Sequence, residues 1–295
     1  MSLRPAHSAI AVMIAAIWGL SFVVIKLGVR EAPPLLLTGC RFLLAAFPAV
    51  LFVKRPTTGW RNVVAYGVFI GVIQFGLLFV ALKQGLPAGL ASVVIQSQVF
   101  ITVALATAMF GEKLKSHHIT GAVIALSGIA LIAWTRWTSA GFLPLLLCLA
   151  AAVSWSFGNM VSKRSGETNP LGFIVWASAV APLPLFALSW LFEDHGQLSA
   201  ALSSPGWAAA AGTMFLAWPA TIFGFGAWSW LLGRYPASQV APFALLVPVF
   251  GMTGGIVFLG EQIEPLALFG SALVIAGLAQ SIYGRQMARS SNMMP

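Results

Sequence analysis

The residues best suited to chemistry in this sequence are uncharged polar and aromatic side chains set inside long apolar stretches. They are the amides and hydroxyls of Ser21, Tyr66, Gln74, Gln96, Gln98 and Asn159, and the indoles of Trp18, Trp155 and Trp218. A buried amide requires a hydrogen-bonding partner, and an indole offers an aromatic face together with one N–H donor. Such a set favours the binding of a small neutral or zwitterionic molecule that carries an apolar or aromatic group.

The groups that catalysis would need are missing from the same stretches. All 7 Asp and Glu residues and all 4 His residues lie at the ends of apolar stretches or in the connections. There is no His-Glu-x-x-His metal motif and no Gly-x-x-x-x-Gly-Lys phosphate loop. His117 and His118 are adjacent, so they point to different faces of a helix. We therefore expect no enzyme, no metal and no cofactor. A proton-driven exporter of cationic drugs is also disfavoured, because it usually needs a carboxylate within the membrane.

The elements that must position these residues are membrane-spanning helices. The chain has 295 residues, of which 59% are hydrophobic and only 8% are charged. A helix needs about 20 apolar residues to cross a bilayer. About ten such runs can be counted, at roughly 8–27, 33–53, 63–83, 87–110, 117–135, 141–162, 170–191, 207–232, 236–259 and 265–284. The composition therefore predicts an all-α polytopic membrane protein with ten transmembrane helices.

The net charge of +9 is explained by topology and does not indicate binding to nucleic acid. With ten spans, both termini lie on one side of the bilayer, and most of the basic residues fall on that side. They are Arg4, Lys54, Arg55, Arg61, Lys113, Lys115, Lys163, Arg164, Arg234, Arg285 and Arg289. Short basic loops remain in the cytoplasm. We therefore expect a multi-pass membrane protein with both termini cytoplasmic.

The sequence contains an internal repeat, which is the signature of a duplicated fold. Pro87-Ala88 opens an apolar run that reaches Gly111-Glu112, and Pro236-Ala237 opens one that reaches Gly260-Glu261 (236 − 87 = 149; 261 − 112 = 149). Gly121 and Gly128 recur as Gly270 and Gly277 at the same offset. The pairs Trp18–Lys26 and Trp155–Lys163 extend the repeat to the start of each half (155 − 18 = 137; 163 − 26 = 137).

Five spans per half is an odd number, so the second half must enter the membrane upside down. This predicts two inverted five-helix repeats, residues 1–137 and 138–295. Inverted repeats are typical of secondary transporters, whose site lies between the halves near the middle of the bilayer.

Both helices at the centre of the repeat are expected to be distorted at that depth. Span four has Gln96-Ser97-Gln98 at its centre, and span nine has Pro242 and Pro248. A proline lacks an N–H and so frees carbonyls such as that of Ala244, which joins the candidate site. The alternative is a kinked packing helix whose amides bond to neighbours. Gln96 and Gln98 are about 200° apart on an α-helix, so at most one of them is expected to face a shared cavity.

The repeated motifs resemble those of the EamA-type drug/metabolite transporter family, and within it the YddG-like exporters of aromatic amino acids. The resemblance rests on Trp18 with Lys26, Trp155 with Lys163, and the two Pro-Ala to Gly-Glu helices, and it covers nearly the whole chain. It implies a ten-helix carrier of the bacterial inner membrane, with a central cavity lined by helices one, three, four, six, eight and nine. The expected function is export of neutral amino acids, aromatic ones included, by a monomer. The alternatives are export of another class of small molecule, or a passive channel or scaffold.

Four charged residues are candidates for gates. Inversion brings Lys26 and Glu261 to the outer face, and Glu112 and Lys163 to the inner face. A carrier whose halves rock would close one pair while it opens the other. The alternative is that the lysines only extend to the interface and the glutamates only end their helices. Arg41, inside span two, either extends outward or pairs with a group that the sequence does not identify.

Overall fold

The computed structural model is helical throughout the residues that it describes, which are 4–111, 116–138, 142–235 and 237–291. Its long helices are α1 (Pro5–Glu31), α2 (Pro34–Phe52), α3 (Trp60–Lys83), α4 (Ala88–Phe110), α5 (Ser116–Thr138), α6 (Phe142–Ser165), α7 (Pro170–Phe192), α8 (Trp207–Arg234), α9 (Ala241–Leu259) and α10 (Pro265–Ser291). A short helix, His195–Ser203, lies between α7 and α8.

The helices account for the apolar runs found in the sequence. Within the described ranges, nine helices, α1 to α9, are long and apolar enough to cross a membrane, and α10 contributes a shorter apolar stretch, Pro265–Ser281. The prediction of an all-helical, multi-pass membrane protein is confirmed. The count of ten spans and the inverted arrangement of the halves remain predictions.

Four central helices depart from regular α-helical winding. The π-helical segments are Gly67–Gln74 in α3 and Leu216–Phe223 in α8. Their bounds differ by the offset of the sequence repeat (216 − 67 = 149; 223 − 74 = 149). Tight 3₁₀ turns occur at Ile95–Ser97 in α4 and at Ala241–Leu245 in α9, in the two helices expected to be distorted. Such segments are common at functional sites, because they redirect side chains and loosen the backbone ladder.

Helices α5 and α10 pack together through glycines. A Cβ atom on Gly128 would overlap the carbonyl oxygen of Gly270, and one on Gly121 would lie 2.6 Å from the carbonyl oxygen of Gly277. Glycine at such positions lets two backbones approach closely, which favours helix association in lipid. These two helices therefore form a tight pair.

Glutamates tie the ends of helices to other helices. Glu31 accepts a hydrogen bond from the N–H of Ala209 in the first turn of α8 (2.8 Å). Glu193 accepts one from the N–H of Leu35 in the first turn of α2 (2.6 Å).

Glu167 accepts a hydrogen bond from the N–H of Thr58, before α3 (2.8 Å). Slight burial raises the pKa of Glu167, but hydrogen bonds from Asn169, Thr58 and Thr57 outweigh it, so its pKa lies below the ordinary value.

Candidate functional site

A cavity of about 350 Å³ lies at the centre of the helices. Its described lining comes from α1, α2, α3, α4, α6, α8 and α9. The lining residues are Trp18, Ser21, Phe22, Ile25, Arg41, Tyr66, Ile70, Gln74, Phe75, Leu78, Ile95, Gln96, Gln98, Val99, Trp155, Asn159, Ala220, Phe225, Trp228, Ala244 and Val247. This volume falls at the lower end of the range for small-molecule sites, so it suits a ligand of modest size.

The structure brings nine of the ten candidate binding residues to this cavity. They are Trp18, Ser21, Tyr66, Gln74, Gln96, Gln98, Trp155, Asn159 and Ala244. Trp218 is the exception: it is 47% exposed, and its Nε1 donates to the carbonyl oxygen of Leu44 at 3.2 Å. Its depth in α8 suggested a cavity position, but the π-helical winding from Leu216 to Phe223 turns it outward beside α2.

Gln96 and Gln98 both line the cavity, contrary to the expectation that at most one of them could. The expectation assumed an α-helix, in which residues two apart are separated by about 160° the shorter way round. The segment Ile95–Ser97 is instead a 3₁₀ turn, which has about three residues per turn and reduces that separation to about 120°. Because several helices surround the cavity, side chains that leave α4 in two such directions can both reach it.

A hydrogen-bonded group of polar side chains joins α4 to α6 at one wall. Asn159 Nδ2 donates to Gln98 Oε1 and to Thr102 Oγ1, both at 3.0 Å. Ser156 Oγ donates to the backbone carbonyl of Gln98 at 3.0 Å. These contacts fix the positions of the Gln98 and Asn159 amides. The Gln98 Nε2 group and the Asn159 Oδ1 atom have no hydrogen-bonding partner among the described side chains, so each can meet a ligand.

Two further amides line the cavity without hydrogen bonds to the described residues of the protein. Gln74 in α3 is only 1% exposed and Gln96 in α4 is 7% exposed. Within the ranges that the structure describes, neither side-chain amide has a hydrogen-bonding partner in the protein. An amide withdrawn from bulk water needs such a partner, which a ligand or water in the cavity would supply.

Aromatic rings of α1 and α8 form another part of the lining. The Trp18 indole donates to the carbonyl oxygen of Ala220 at 2.9 Å, and this carbonyl lies in the π-helical segment of α8. The Trp18 ring centre is 5.2 Å from that of Phe225 and 5.3 Å from that of Trp228. These rings can contact an apolar or aromatic group, because tilted rings offer both faces and edges.

The sequence analysis missed several lining residues. Phe22, Phe75, Phe225 and Trp228 reach the cavity, but in a membrane helix such side chains look the same as those that pack or face lipid. Arg41 also lines the cavity and is the single charged side chain in the described lining. Its position inside an apolar run was a signal, although its neighbours could not be read from the sequence. No group of three or more His, Cys, Asp or Glu residues suited to a metal occurs among the described residues.

At one end of the cavity, the two outer gate candidates bind the same connection between α3 and α4. Lys26 Nζ donates to the carbonyl oxygens of Leu82 at 2.7 Å and Leu86 at 2.9 Å. Glu261, which follows α9, accepts hydrogen bonds from the N–H groups of Ala88 at 2.5 Å and Gly89 at 3.0 Å. Lys26 and Glu261 thus both bind the segment 82–89, which joins α3 to α4.

The inner candidates are less fully described. Glu112 lies outside the residues that the structure describes. Lys163 is exposed at the end of α6, and its Nζ lies 4.9 Å from the centre of the Phe110 ring, at the end of α4.

Comparison with known proteins gives consistent matches. The model of the EamA-like transporter family matches twice, over residues 7–134 and 142–283. A protein of Salmonella typhimurium called "Probable amino-acid metabolite efflux pump" is 38% identical over 288 residues, which is 96% of each chain. A protein of Escherichia coli with the same description is 37% identical over 281 residues, covering 93% of this chain and 94% of its own. A solved crystal structure, 19% identical, superposes with a TM-score of 0.64 over 97% of this chain and 99% of its own.

Proposed function

Because the chain belongs to the EamA-like transporter family, we propose that it exports neutral amino acids and related metabolites, aromatic and bulky ones included. Export proceeds across the inner membrane of a bacterium by alternating access. The relatives described as amino-acid metabolite efflux pumps support this class of substrate, since they match nearly the full length of the chain. A transporter family also accords with the expectation that the protein is not an enzyme.

The observation that carries the proposal is the chemistry of the central cavity. Its described lining combines aromatic rings and four amides, with one arginine and no carboxylate. Rings suit the side chain of a bulky amino acid, and amides can bind its ammonium and carboxylate groups. A cationic drug would find no opposite charge in this lining.

The proposed architecture is ten transmembrane helices in two inverted repeats, residues 1–137 and 138–295, with both termini in the cytoplasm. Support comes from the double match of the family model and from the π-helices of α3 and α8, which recur at the repeat offset of 149 (216 − 67 = 149). Rocking of one half against the other would expose the cavity to each side in turn.

The proposed outer gate is the connection 82–89 with the two groups that hold it. Separation of the halves on the outside would detach Glu261 from the first turn of α4, and Lys26 keeps the connection close to α1. Glu112 and Lys163 are the proposed inner gate, since they are the repeat counterparts of Glu261 and Lys26 (261 − 112 = 149; 163 − 26 = 137).

The function is tested with purified protein in proteoliposomes. We expect labelled L-phenylalanine, L-leucine and L-threonine to enter, and uptake to rise when the vesicles contain the same unlabelled amino acid. L-Lysine and tetraphenylphosphonium should be rejected, since both are cations. Counterflow distinguishes a carrier from a channel, and a parallel assay with a proton gradient tests coupling. Absence of counterflow for every amino acid in the panel would contradict the proposal.

The binding wall is tested by replacing Asn159 with alanine. This removes the hydrogen bonds that the Asn159 amide donates to Gln98 and Thr102. It also removes one of the amides that can bind the ligand. A hydrogen bond to a charged group contributes about 1.5–3 kcal/mol, so we expect the apparent affinity for L-phenylalanine in counterflow to fall by about 10- to 100-fold.

The matched control is Asn62→Ala. The Asn62 amide, in the first turn of α3, donates to Thr58 Oγ1 at 2.7 Å and is not among the residues that line the cavity, so transport should be retained. The Gln98→Ala and Gln74→Ala variants complete the set. If all three cavity amide variants are produced at normal levels and transport normally, the cavity is not the binding site.

A further inference from the structure

Arg41 is a buried charge whose bonding within the protein is incomplete. Its side chain, in α2, is 3% exposed. Nη2 donates to Thr221 Oγ1 at 3.2 Å, and the guanidinium carbon lies 3.9 Å from the ring centre of Phe75. Nε and Nη1 are buried without a hydrogen-bonding partner. The protein thus holds the guanidinium in place but leaves donors unused.

This arrangement is costly unless another group completes it. A buried charge needs an opposite charge and hydrogen bonds to offset its lost hydration. An arginine side chain stays protonated in proteins, so it cannot avoid this cost by becoming neutral. Thr221 supplies only a neutral oxygen, Phe75 supplies a ring face, and no Asp or Glu is among the described residues that line the cavity. An anionic group that enters from the cavity would supply both the opposite charge and the missing hydrogen-bond acceptors.

The space beside Arg41 fits such a group. A recess of about 20 Å³, lined by Arg41 and Thr221, lies next to the main cavity. Tyr66, Phe75 and Phe225 line both spaces, so the recess and the cavity share a wall. A space of this volume holds about one water-sized group, which is the size of a carboxylate oxygen.

We propose that Arg41 is a substrate-binding residue that recognises the carboxylate of the transported amino acid. The guanidinium donates to the carboxylate through its unused nitrogens, in a charge-assisted contact that arginine makes well. The rest of the ligand then extends into the main cavity, past Tyr66, Phe75 and Phe225. This inference rests on the proposed function, because it names the group by which that substrate is held.

The test compares each amino acid with its amide, which has the same shape but no carboxylate. Binding to the full-length protein in lipid nanodiscs is measured by calorimetry for L-phenylalanine with L-phenylalaninamide, and for L-leucine with L-leucinamide. The wild-type protein should bind each acid about 10- to 100-fold more tightly than its amide, the range of one hydrogen bond to a charged group. Arg41→Gln should remove most of this preference by weakening the acid alone, and Arg41→Lys should keep part of it.

Arg55→Gln is the matched control, because Arg55 also lies over aromatic rings, 5.2 Å from the centre of Trp176, but does not line the cavity. It should keep the full acid preference. A wild-type protein that binds acid and amide equally, or an Arg41→Gln protein that weakens for both alike, overturns the role of Arg41 and leaves the proposed function standing. If Arg41→Gln does not fold, the wild-type ratio and Arg41→Lys decide the question. Absence of amino-acid binding together with absence of counterflow overturns the proposed function itself.

Discussion

Replacing Glu261 with alanine should open the outer end of the cavity and lower transport by at least about tenfold. The Glu261 carboxylate accepts hydrogen bonds from the N–H groups of both Ala88 and Gly89, at the positive end of the α4 helix. Each bond to a charged group contributes about 1.5–3 kcal/mol when shielded from water. Glu261 is only half-buried, so we take the lower part of this range. A bias of about 1.4 kcal/mol already changes the ratio of two conformations tenfold.

The opening is measured with a cysteine on the cavity wall. Leu78 is 2% exposed and lines the cavity on α3. With Cys40 and Cys148 replaced by alanine, a Leu78→Cys variant should react slowly with a membrane-impermeant thiol reagent added to intact cells. The additional Glu261→Ala change should make that reaction several times faster. An equal rate with and without Glu261 would contradict a role in outer closure.

Three control variants allow the labelling result to be interpreted. Glu264→Ala, an exposed glutamate in the same connection, should change neither transport nor labelling. A Gly196→Cys variant should react in intact cells, and a Thr58→Cys variant should not, because the predicted topology places Gly196 outside and Thr58 in the cytoplasm. The reverse pattern would show that the orientation is inverted and that the Glu261 end faces the cytoplasm.

Replacing Gly128 with leucine should prevent α5 and α10 from packing and greatly reduce the yield of folded protein. A Cβ at this position would overlap the backbone carbonyl of Gly270, and a backbone atom of a packed helix cannot move aside alone. Overpacking of a tight contact costs about 1–3 kcal/mol, and more where the backbone must shift. We expect loss of the monodisperse peak in size-exclusion chromatography of the detergent extract, and a clearly lower melting temperature in any protein that remains.

The control for this change is Gly233→Leu. A Cβ at Gly233, near the end of α8, meets nothing within 4 Å, so leucine there should face open space and leave the folded yield unchanged. Gly121→Leu should behave like Gly128→Leu, because its Cβ would lie 2.6 Å from the Gly277 carbonyl oxygen. Normal yield and stability of both α5 variants would show that this contact is dispensable.

Composition and the lengths of the apolar runs correctly predicted an all-helical, multi-pass membrane protein, because the thickness of the bilayer sets the length of an apolar helix that crosses it. Gln74, Gln98 and Asn159 could be selected as candidate binding residues for a related reason. An amide near the middle of the bilayer is removed from water, so it must find a hydrogen-bonding partner inside the protein. Depth along a helix is therefore readable from a single sequence.

Rotation about a helix axis was much harder to predict. Trp218 has a suitable depth but the wrong face, and Trp228, ten residues later, reaches the cavity. The π-helical turns that set these faces depend on packing between helices. The partners of Arg41 are also distant in sequence, with Phe75 on α3 and Thr221 on α8. No local pattern could indicate that these three residues meet.

The glycine contact between α5 and α10 bears on the history of the chain. Gly121 approaches Gly277, which is the repeat counterpart of Gly128, and Gly128 approaches Gly270, the counterpart of Gly121 (128 + 149 = 277; 121 + 149 = 270). This reciprocity defines an isologous interface, the kind that two identical subunits form in a dimer. It is the contact expected if the gene arose by duplication and fusion of one that encoded a single self-associating half.

Fusion of the two copies would have freed them to diverge. At the offset of 137 that relates the first helices, Arg41 falls on Ser178 (41 + 137 = 178), which lines the same small recess. If this offset also relates the second helices, an ancestral dimer of identical subunits would have carried the same residue at both positions. The present chain carries a cation at one position and a hydroxyl at the other, an asymmetry that two copies of one identical subunit could not have.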